Sequence, residues 1–293
     1  NSQLKIIGSH AFSNSGFTNI TIPASVTTIE VGAFVDCSGL TSITLPSSVT
    51  SIEKEAFSDR AKLTTVTMER STPPTLGDNI FESCEELNTI FVPTTALSAY
   101  QHSDSSKGWD NYKSKLAVGG DCGAEGHESD VTWRLQNGTL TISGTGAMKD
   151  ISSVNDIPWK DYINDINKIV IEKDVESIGR NAFQSHNNLT AVTFAENIQL
   201  ESIGSDAFDG CTNLTSITIP TSVTSIGGYA FYKCTGLTSV TISEGVTKIG
   251  NSMFSEATAL KSITIPKSVT SIGEYAFSNC KALENIDLPE ELT

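Results

Sequence analysis

One short phrase recurs nine times along this chain. It runs Ile or Leu then Gly, an Ala-Phe pair, a Cys, and a stretch close to Leu-Thr-Ser-Ile-Thr-Ile-Pro. Its phenylalanines are Phe12, Phe34, Phe57, Phe81, Phe183, Phe208, Phe231, Phe254 and Phe277. They mostly stand 22 to 25 residues apart, with one gap of about a hundred between Phe81 and Phe183. Self-similarity at that period marks a repeat solenoid, in which no repeat buries its own apolar face and each needs its neighbours.

The stretch Val223 to Ile242 shows how one repeat is built. Val223-Thr-Ser-Ile226-Gly227 reads as a short extended segment turning at Gly227. Glycine recurs there (Gly8, Gly77, Gly179, Gly204, Gly250, Gly273), as expected where the backbone needs positive φ or close approach. Glu30 and Glu53 hold the same place in two repeats, so the turn does not strictly require glycine. Ala230-Phe231 places a small and a large residue inward, and Leu237-Thr-Ser-Val240-Thr-Ile242 reads as a β-strand. The spacing L-x-x-V-x-I is the strand signature of a leucine-rich repeat. Proline follows the strand at Pro23, Pro46, Pro93, Pro220, Pro266 and Pro289, where it ends the ladder without losing an internal hydrogen bond.

The long gap reads as two caps. After Pro93 the pattern becomes helical, with Leu97, Tyr100, Trp109, Tyr112 and Leu116 set to cover a last core layer. Trp133 to Ile142 then reads as a hairpin turning at Asn137-Gly138, and Pro158-Trp159 through Ile166 as a short helix. The chain therefore divides into 1–118, an array with a C-terminal helical cap, and 119–293, a second array opening with a β-hairpin cap. The Gly-rich Val118-Gly-Gly120 joins them. A single solenoid with a long insertion is the alternative. The chain starts inside a repeat and stops just after an expected strand at Ile286 to Leu288, which reads as a mature or trimmed fragment.

Charge narrows the partners. The net charge is −15. Residues 1–118 carry 8 basic and 12 acidic side chains, and residues 119–293 carry 11 and 22. Nucleic acid is excluded as a partner, because binding it rests on neutralising phosphates. Anionic membrane surfaces are disfavoured for the same reason, and the longest apolar runs are too short to span a bilayer. Five of the six cysteines (Cys37, Cys84, Cys211, Cys234, Cys280) fall three residues after the repeat phenylalanine; Ser15, Arg60, His186 and Ala257 stand there otherwise. A place that accepts both Cys and Ala reads as a small packing site holding a free thiol. Cys122 lies outside the register, and no Cys/His spacing suits zinc.

Ser222-Val-Thr-Ser-Ile-Gly-Gly-Tyr-Ala-Phe-Tyr-Lys-Cys-Thr-Gly-Leu-Thr-Ser-Val-Thr-Ile closely resembles the BspA-type (Treponema pallidum-type) leucine-rich repeat. The likeness covers all nine repeats. Val92-Pro93 with Ala96 to Tyr100 and Trp109 to Tyr112 resembles the tail that closes such arrays; Gly138 to Met148 with Pro158-Trp159 resembles the segment that opens them. The resemblance implies a bacterial protein, secreted or attached to the cell surface, and often linked to adhesion to host matrix proteins, other cells or mucosa. It supplies no binding motif to carry over residue by residue.

The concave face is expected to carry the outward strand positions: Ser42 and Thr44, Thr65 and Thr67, Ser216 and Thr218, Ser239 and Thr241, Ser262 and Thr264. Phe91, Asn285 and Asp287 break this small-hydroxyl monotony and are the better candidates for contact. No catalytic constellation is legible. His10, His102, His127 and His186 sit in unrelated contexts without triad logic, and Gly144-Thr-Gly146 lacks the rest of a phosphate loop. The expectation is a non-enzymatic module for adhesion or protein recognition, monomeric, with neither metal nor cofactor. One rival is a glycan-binding module, which calls for exposed aromatics that Tyr100, Trp109, Tyr112 and Trp159 could supply. The other is a spacer presenting another domain. An open solenoid end at Leu288–Thr293 is the one place where pairing with another chain is foreseen.

Overall fold

The computed structural model describes residues 4–290 and Leu292, so Glu291 and Thr293 of the foreseen open end lie outside the described residues. The chain forms two compact units, residues 1–118 and 119–293. Both are parallel β-solenoids. Each full repeat contributes a main strand, a short two- to four-residue strand, and an arc carrying the phenylalanine.

In the first unit the main strands Ser42–Leu45, Thr65–Met68 and Thr89–Phe91 pair in parallel, Ser42 to Thr65 to Thr89. The short strands Ile6–Ile7, Thr28–Ile29, Ser51–Ile52 and Thr75–Leu76 form a second ladder. Alternation decides which side chains go inside. Ile43 and Leu45 are buried while Ser42 and Thr44 are exposed. Thr94–Ala96, Leu97–Gln101, Ser105–Lys107 and Asp110–Lys115 form the helical cap, in which only Leu97–Gln101 is α-helical. Leu116, expected in that helical pattern, instead begins the strand Leu116–Asp121, which pairs with Ile90 and Phe91. Val118, Gly119 and Gly120 lie within this strand.

In the second unit the hairpin Val131–Gln136 and Thr139–Gly144 turns at Asn137 and Gly138, whose φ values of 49° and 74° give the expected type I′ geometry. Lys168–Ile171 and Ala191–Phe194 extend it in parallel. Ser216–Thr218, Ser239–Thr241 and Ser262–Thr264 then make a separate three-stranded ladder. The segment expected as a short helix after Trp159 is the 3₁₀ helix Lys160–Asp165. No strand forms at Ile286 to Leu288, so that expectation fails: the segment does not join the ladder that Ser262–Thr264 ends.

The arcs account for the phenylalanines. Residues two before and two after each repeat phenylalanine have positive φ, from His10 and Asn14 (both 56°) to Tyr275 (57°) and Asn279 (59°). This turns alternate N–H groups toward the next repeat. Tyr229, Phe231 and Lys233 donate to the carbonyls of Asn251, Met253 and Ser255 at 2.9, 3.0 and 3.0 Å, a third ladder that satisfies backbone groups the strands do not reach. Between its rungs the rings stack. Phe12, Phe34, Phe57 and Phe81 follow at 5.2, 5.3 and 5.7 Å, and Tyr112 closes that column edge-on at 5.3 Å. In the second unit Trp159 begins a column continued by Phe183, Phe208, Phe231, Phe254 and Phe277 at 5.3 to 5.6 Å. Each fully buried ring contributes roughly 3 kcal/mol of apolar burial, so the spine is the chief reason the repeats cohere.

The glycines before the arcs need room, not positive φ. None of Gly8, Gly77, Gly179, Gly204, Gly227, Gly250 and Gly273 has φ in the left-handed region. A Cβ on Gly179 would lie 2.0 Å from the Lys149 carbonyl oxygen, and one on Gly227 2.3 Å from the Ser205 nitrogen. Of the two reasons foreseen, close approach is the one that operates, except at Gly8, where a Cβ would meet only a Glu30 carboxylate oxygen at 3.8 Å.

Candidate functional site

The outward strand positions fall into two ladders, one in each unit. Ser42 and Thr44 adjoin Thr65 and Thr67, and Thr67 adjoins Phe91. Ser216, Ser239 and Ser262 form one row and Thr218, Thr241 and Thr264 another. Asn285 and Asp287 are exposed but join no ladder; Asp287 lines a concavity of about 760 Å³ with Ile265, Lys267 and Leu288.

The second unit's strand face is interrupted at one place, and the sequence explains it. Between Phe194 and Gly204 the chain takes two residues more than between the equivalent Ile219 and Gly227. Ala191–Phe194 and Ser216–Thr218 consequently belong to different sheets. A groove of about 520 Å³ opens there, lined by Thr193, Phe194, Asn197, Ser216, Thr218 and Ser222 among others. Phe194 occupies an inward position but stays half-buried, because the neighbouring strand does not close over it. Ser222 shows the same misfit. The equivalent Ser48 and Ser268 donate to the carbonyls of Val26 and Val246 in the repeat before, at 2.5 and 2.7 Å. The Ser222 hydroxyl is buried without a partner. A smaller concavity of about 250 Å³ in the first unit is lined by Ile20, Thr21, Ser42, Thr44 and Glu69.

Two basic residues on the strand face escaped the sequence reading. Thr141 pairs with Arg134 and Thr139 with Lys168, so both side chains sit on the outward rows. Alternation within the hairpin was the available signal: Trp133 and Leu135 are buried, which turns Arg134 outward. The cap aromatics behave in the opposite way. Tyr100, Trp109 and Trp159 are buried at 0%, 1% and 1% exposure, and Tyr112 packs on Phe81. They close the apolar columns, so the exposed aromatic platform that a glycan-binding module calls for is not supplied by these side chains.

The remaining reactive groups are structural. All six cysteines are free thiols. Cys37, Cys84, Cys211, Cys234 and Cys280 each donate to the carbonyl of the phenylalanine one repeat earlier, at 3.0 to 3.2 Å. Burial pushes the Cys122 and Cys234 thiols up to about 12, which keeps them protonated and inert. Arg60, in the same register, donates its Nε to the Phe34 carbonyl at 3.0 Å and lies over the Phe57 ring. His186, the other large occupant, accepts the Trp159 indole N–H at 2.9 Å, and burial lowers its pKa to about 4. The His127–Asp130 pair is exposed at 2.8 Å. Among the described residues no cluster of His, Cys, Asp and Glu is arranged to hold a metal ion, and no helix is long and apolar enough to cross a membrane.

Residues 5–105 and 160–284 match the family described as BspA type leucine rich repeat region. Among solved structures the chain is similar to a T. pallidum leucine-rich repeat protein, with 23% identity over 50% of this chain and 84% of that one, at a TM-score of 0.37. It is also similar to a leucine-rich repeat protein from Eubacterium ventriosum, with 19% identity over 92% and 78% and a TM-score of 0.42. A third likeness is to a leucine rich cell surface protein from Faecalibacterium prausnitzii, with 25% identity over 97% and 74% and a TM-score of 0.33. No curated protein matches the chain.

Proposed function

Because the chain belongs to the BspA-type leucine-rich repeat family, we propose that it is a non-enzymatic recognition module that works outside the cell or on its surface and adheres to a host matrix or mucosal protein. The interrupted strand ladder of the second unit carries this reading. A regular row of Ser and Thr offers few of the anchors that dominate protein interfaces. The break supplies what the row lacks: a half-buried Phe194, a recess, and Ser216 and Thr218 at its rim. Arg134 and Lys168 add positive charge to the strand face of a chain that is otherwise acidic. Inert, carbonyl-bonded thiols suit an oxidising exterior, since a protonated buried sulfur is a poor nucleophile.

The test is binding of the whole chain to immobilised fibronectin, fibrinogen and mucin at two salt concentrations. The expected result is saturable binding to one of them, weakened at least tenfold by Phe194→Ala or by Thr218→Arg, which fills the groove. Absence of saturable binding across the panel, or binding indifferent to both substitutions, would sink the reading.

A further inference from the structure

The break in the strand ladder of the second unit leaves two β-edges facing each other. Thr215 and Ile219 bond to the following repeat, through Thr238 and Thr241, so Ser216 and Thr218 between them turn their backbone groups toward the repeat before. Ala195 bonds to Ile171 in the preceding repeat, so Val192 and Phe194 turn theirs toward Ser216 and Thr218. No hydrogen bond joins the two edges, and among the described residues these four N–H groups find no other acceptor. From Thr139–Gly144 to Ser262–Thr264 every other rung of the main strands is paired.

The opening is confined to this side. The short strands of the same two repeats pair, Ser177 with Ser202 and Ile178 with Ile203. Their arcs are joined as well, Asn181, Phe183 and Ser185 donating to the carbonyls of Ser205, Ala207 and Asp209 at 3.0, 2.8 and 2.7 Å. The spine records the resulting wedge. The Phe183 and Phe208 rings tilt by 28° to each other, against 2° and 4° at the next two intervals. At their closest Cα atoms the two strands stand within 8 Å. A paired rung takes about 4.8 Å, and one additional strand between them needs about 10 Å. The groove of about 520 Å³ is the mouth of that wedge.

We propose that the partner of this groove enters it as an extended polypeptide strand, a parallel rung that pairs with Ala191–Phe194 on one edge and Ser216–Thr218 on the other. The inference rests on the recognition reading above and specifies the ligand of the same site. An extended main chain presents donors and acceptors on both edges at the repeat that these two walls require. Seating it widens a wedge already open on this side, with the short-strand and arc ladders as the pivot. The rows it joins set its side chains. Its inward positions fall between buried Val192 and Ile217, and between half-buried Phe194 and buried Ile219, so they are apolar and alternate. One outward position falls beside the small Ala191, beyond which Lys168 stands in register, so an acidic residue fits there.

The probes are a synthetic peptide of residues 214–220 carrying Ser216→Glu, and the same peptide with its two isoleucine nitrogens methylated. Isothermal titration and amide hydrogen exchange are measured on the whole chain. In the free protein the amides of Val192, Phe194, Ser216 and Thr218 should exchange about a hundredfold faster than those of Ile217 and Val240, which lie in paired ladders. The peptide should bind saturably and slow those four amides at least tenfold. Its methylated copy should bind at least tenfold more weakly, and so should Thr218→Arg, with circular dichroism unchanged; Lys168→Glu should cost at least threefold. Four amides already protected in the free protein, a peptide that does not saturate, or a methylated copy that binds equally would each overturn the proposal. The two readings fail separately. A peptide that pairs while fibronectin, fibrinogen and mucin all fail to bind keeps strand addition and sinks adhesion to those proteins. Phe194-dependent binding of one of them without peptide pairing does the reverse.

Discussion

The thiol of Cys234 donates a hydrogen bond to the carbonyl oxygen of Phe208, 3.1 Å away in the preceding repeat. That carbonyl also receives the Cys211 backbone N–H at 3.2 Å. The thiol therefore helps satisfy a buried acceptor and fastens adjacent repeats beside the phenylalanine spine. Cys234→Ala removes the donor and leaves a small void, and the expected loss is about 1–2 kcal/mol. Ala257 occupies the same register one repeat later, so the variant should still fold. A urea titration at pH 7 measures the shift in midpoint. An unchanged midpoint would reduce the thiol column to mere filling.

The indole N–H of Trp159 and Nε2 of His186, 2.9 Å apart, make the opening of the second unit sensitive to acid. The imidazole is a bond acceptor there, while Nδ1 faces the Gln184 carbonyl at 3.1 Å, so the neutral form is the one that fits. Burial lowers its folded pKa to about 4 from 6.5. Below pH 6.5 the unfolded chain takes up a proton that the folded chain refuses until about pH 4. The stabilisation is therefore complete above pH 6.5 and lost progressively down to pH 4, by about 3 kcal/mol in all. His186→Gln removes the titration, so the difference in stability between parent and variant should depend on pH within that window. Parallel curves from pH 7 to 4 would exclude this account.

Much of this fold can be read directly from the repeats, because burial forces the same residue type at the same place nine times. The phenylalanine spine, the alternating strands and the Asn137-Gly138 turn were legible for that reason. The arc ladder was not: Asn, Asp and Gly fill half of its eighteen left-handed positions, but His10, Glu55, Lys233 and Tyr229 stand at others and blur the pattern. The cysteine register reads in sequence as a small packing site, and its hydrogen bond is invisible there because Ala257 and Arg60 share the position. Sequence also placed Ser216 and Thr218 on the outward face correctly. It missed the groove beside them, which comes from two additional residues between Phe194 and Gly204 that change a distance and not a motif.

That lengthened connection makes opposite predictions for two equivalent serines. Ser268 Oγ donates to the Val246 carbonyl at 2.7 Å, so Ser268→Ala is expected to cost about 1 kcal/mol. Ser222 Oγ has no partner although it is buried. Ser222→Ala removes an unsatisfied polar atom and should leave stability unchanged or raise it by up to about 1 kcal/mol. Comparing the two variants by denaturant titration decides the matter; equal losses would mean that Ser222 is bonded in solution.

The glycines before the arcs offer a graded test of close approach. An added Cβ would lie 2.0 Å from a backbone oxygen at Gly179, 2.3 Å from a backbone nitrogen at Gly227, 3.1 Å from the Gly228 Cα at Gly250, and 3.8 Å from a side-chain oxygen at Gly8. Because none of these residues has a left-handed φ, alanine meets no backbone strain and the contact alone sets the cost. At Gly179 and Gly227 two repeats must separate or bend to relieve it, and a loss of about 3 kcal/mol is expected. At Gly250 a shift of a few tenths of an ångström suffices, and about 1 kcal/mol should be lost. At Gly8 the contact is ordinary, so alanine restricts the unfolded chain without penalty and stability should rise by about 0.5 kcal/mol. Denaturation midpoints ranked in this order would establish repeat-to-repeat contact as the reason for glycine. A uniform loss at all four sites would point instead to a conformational demand common to every turn.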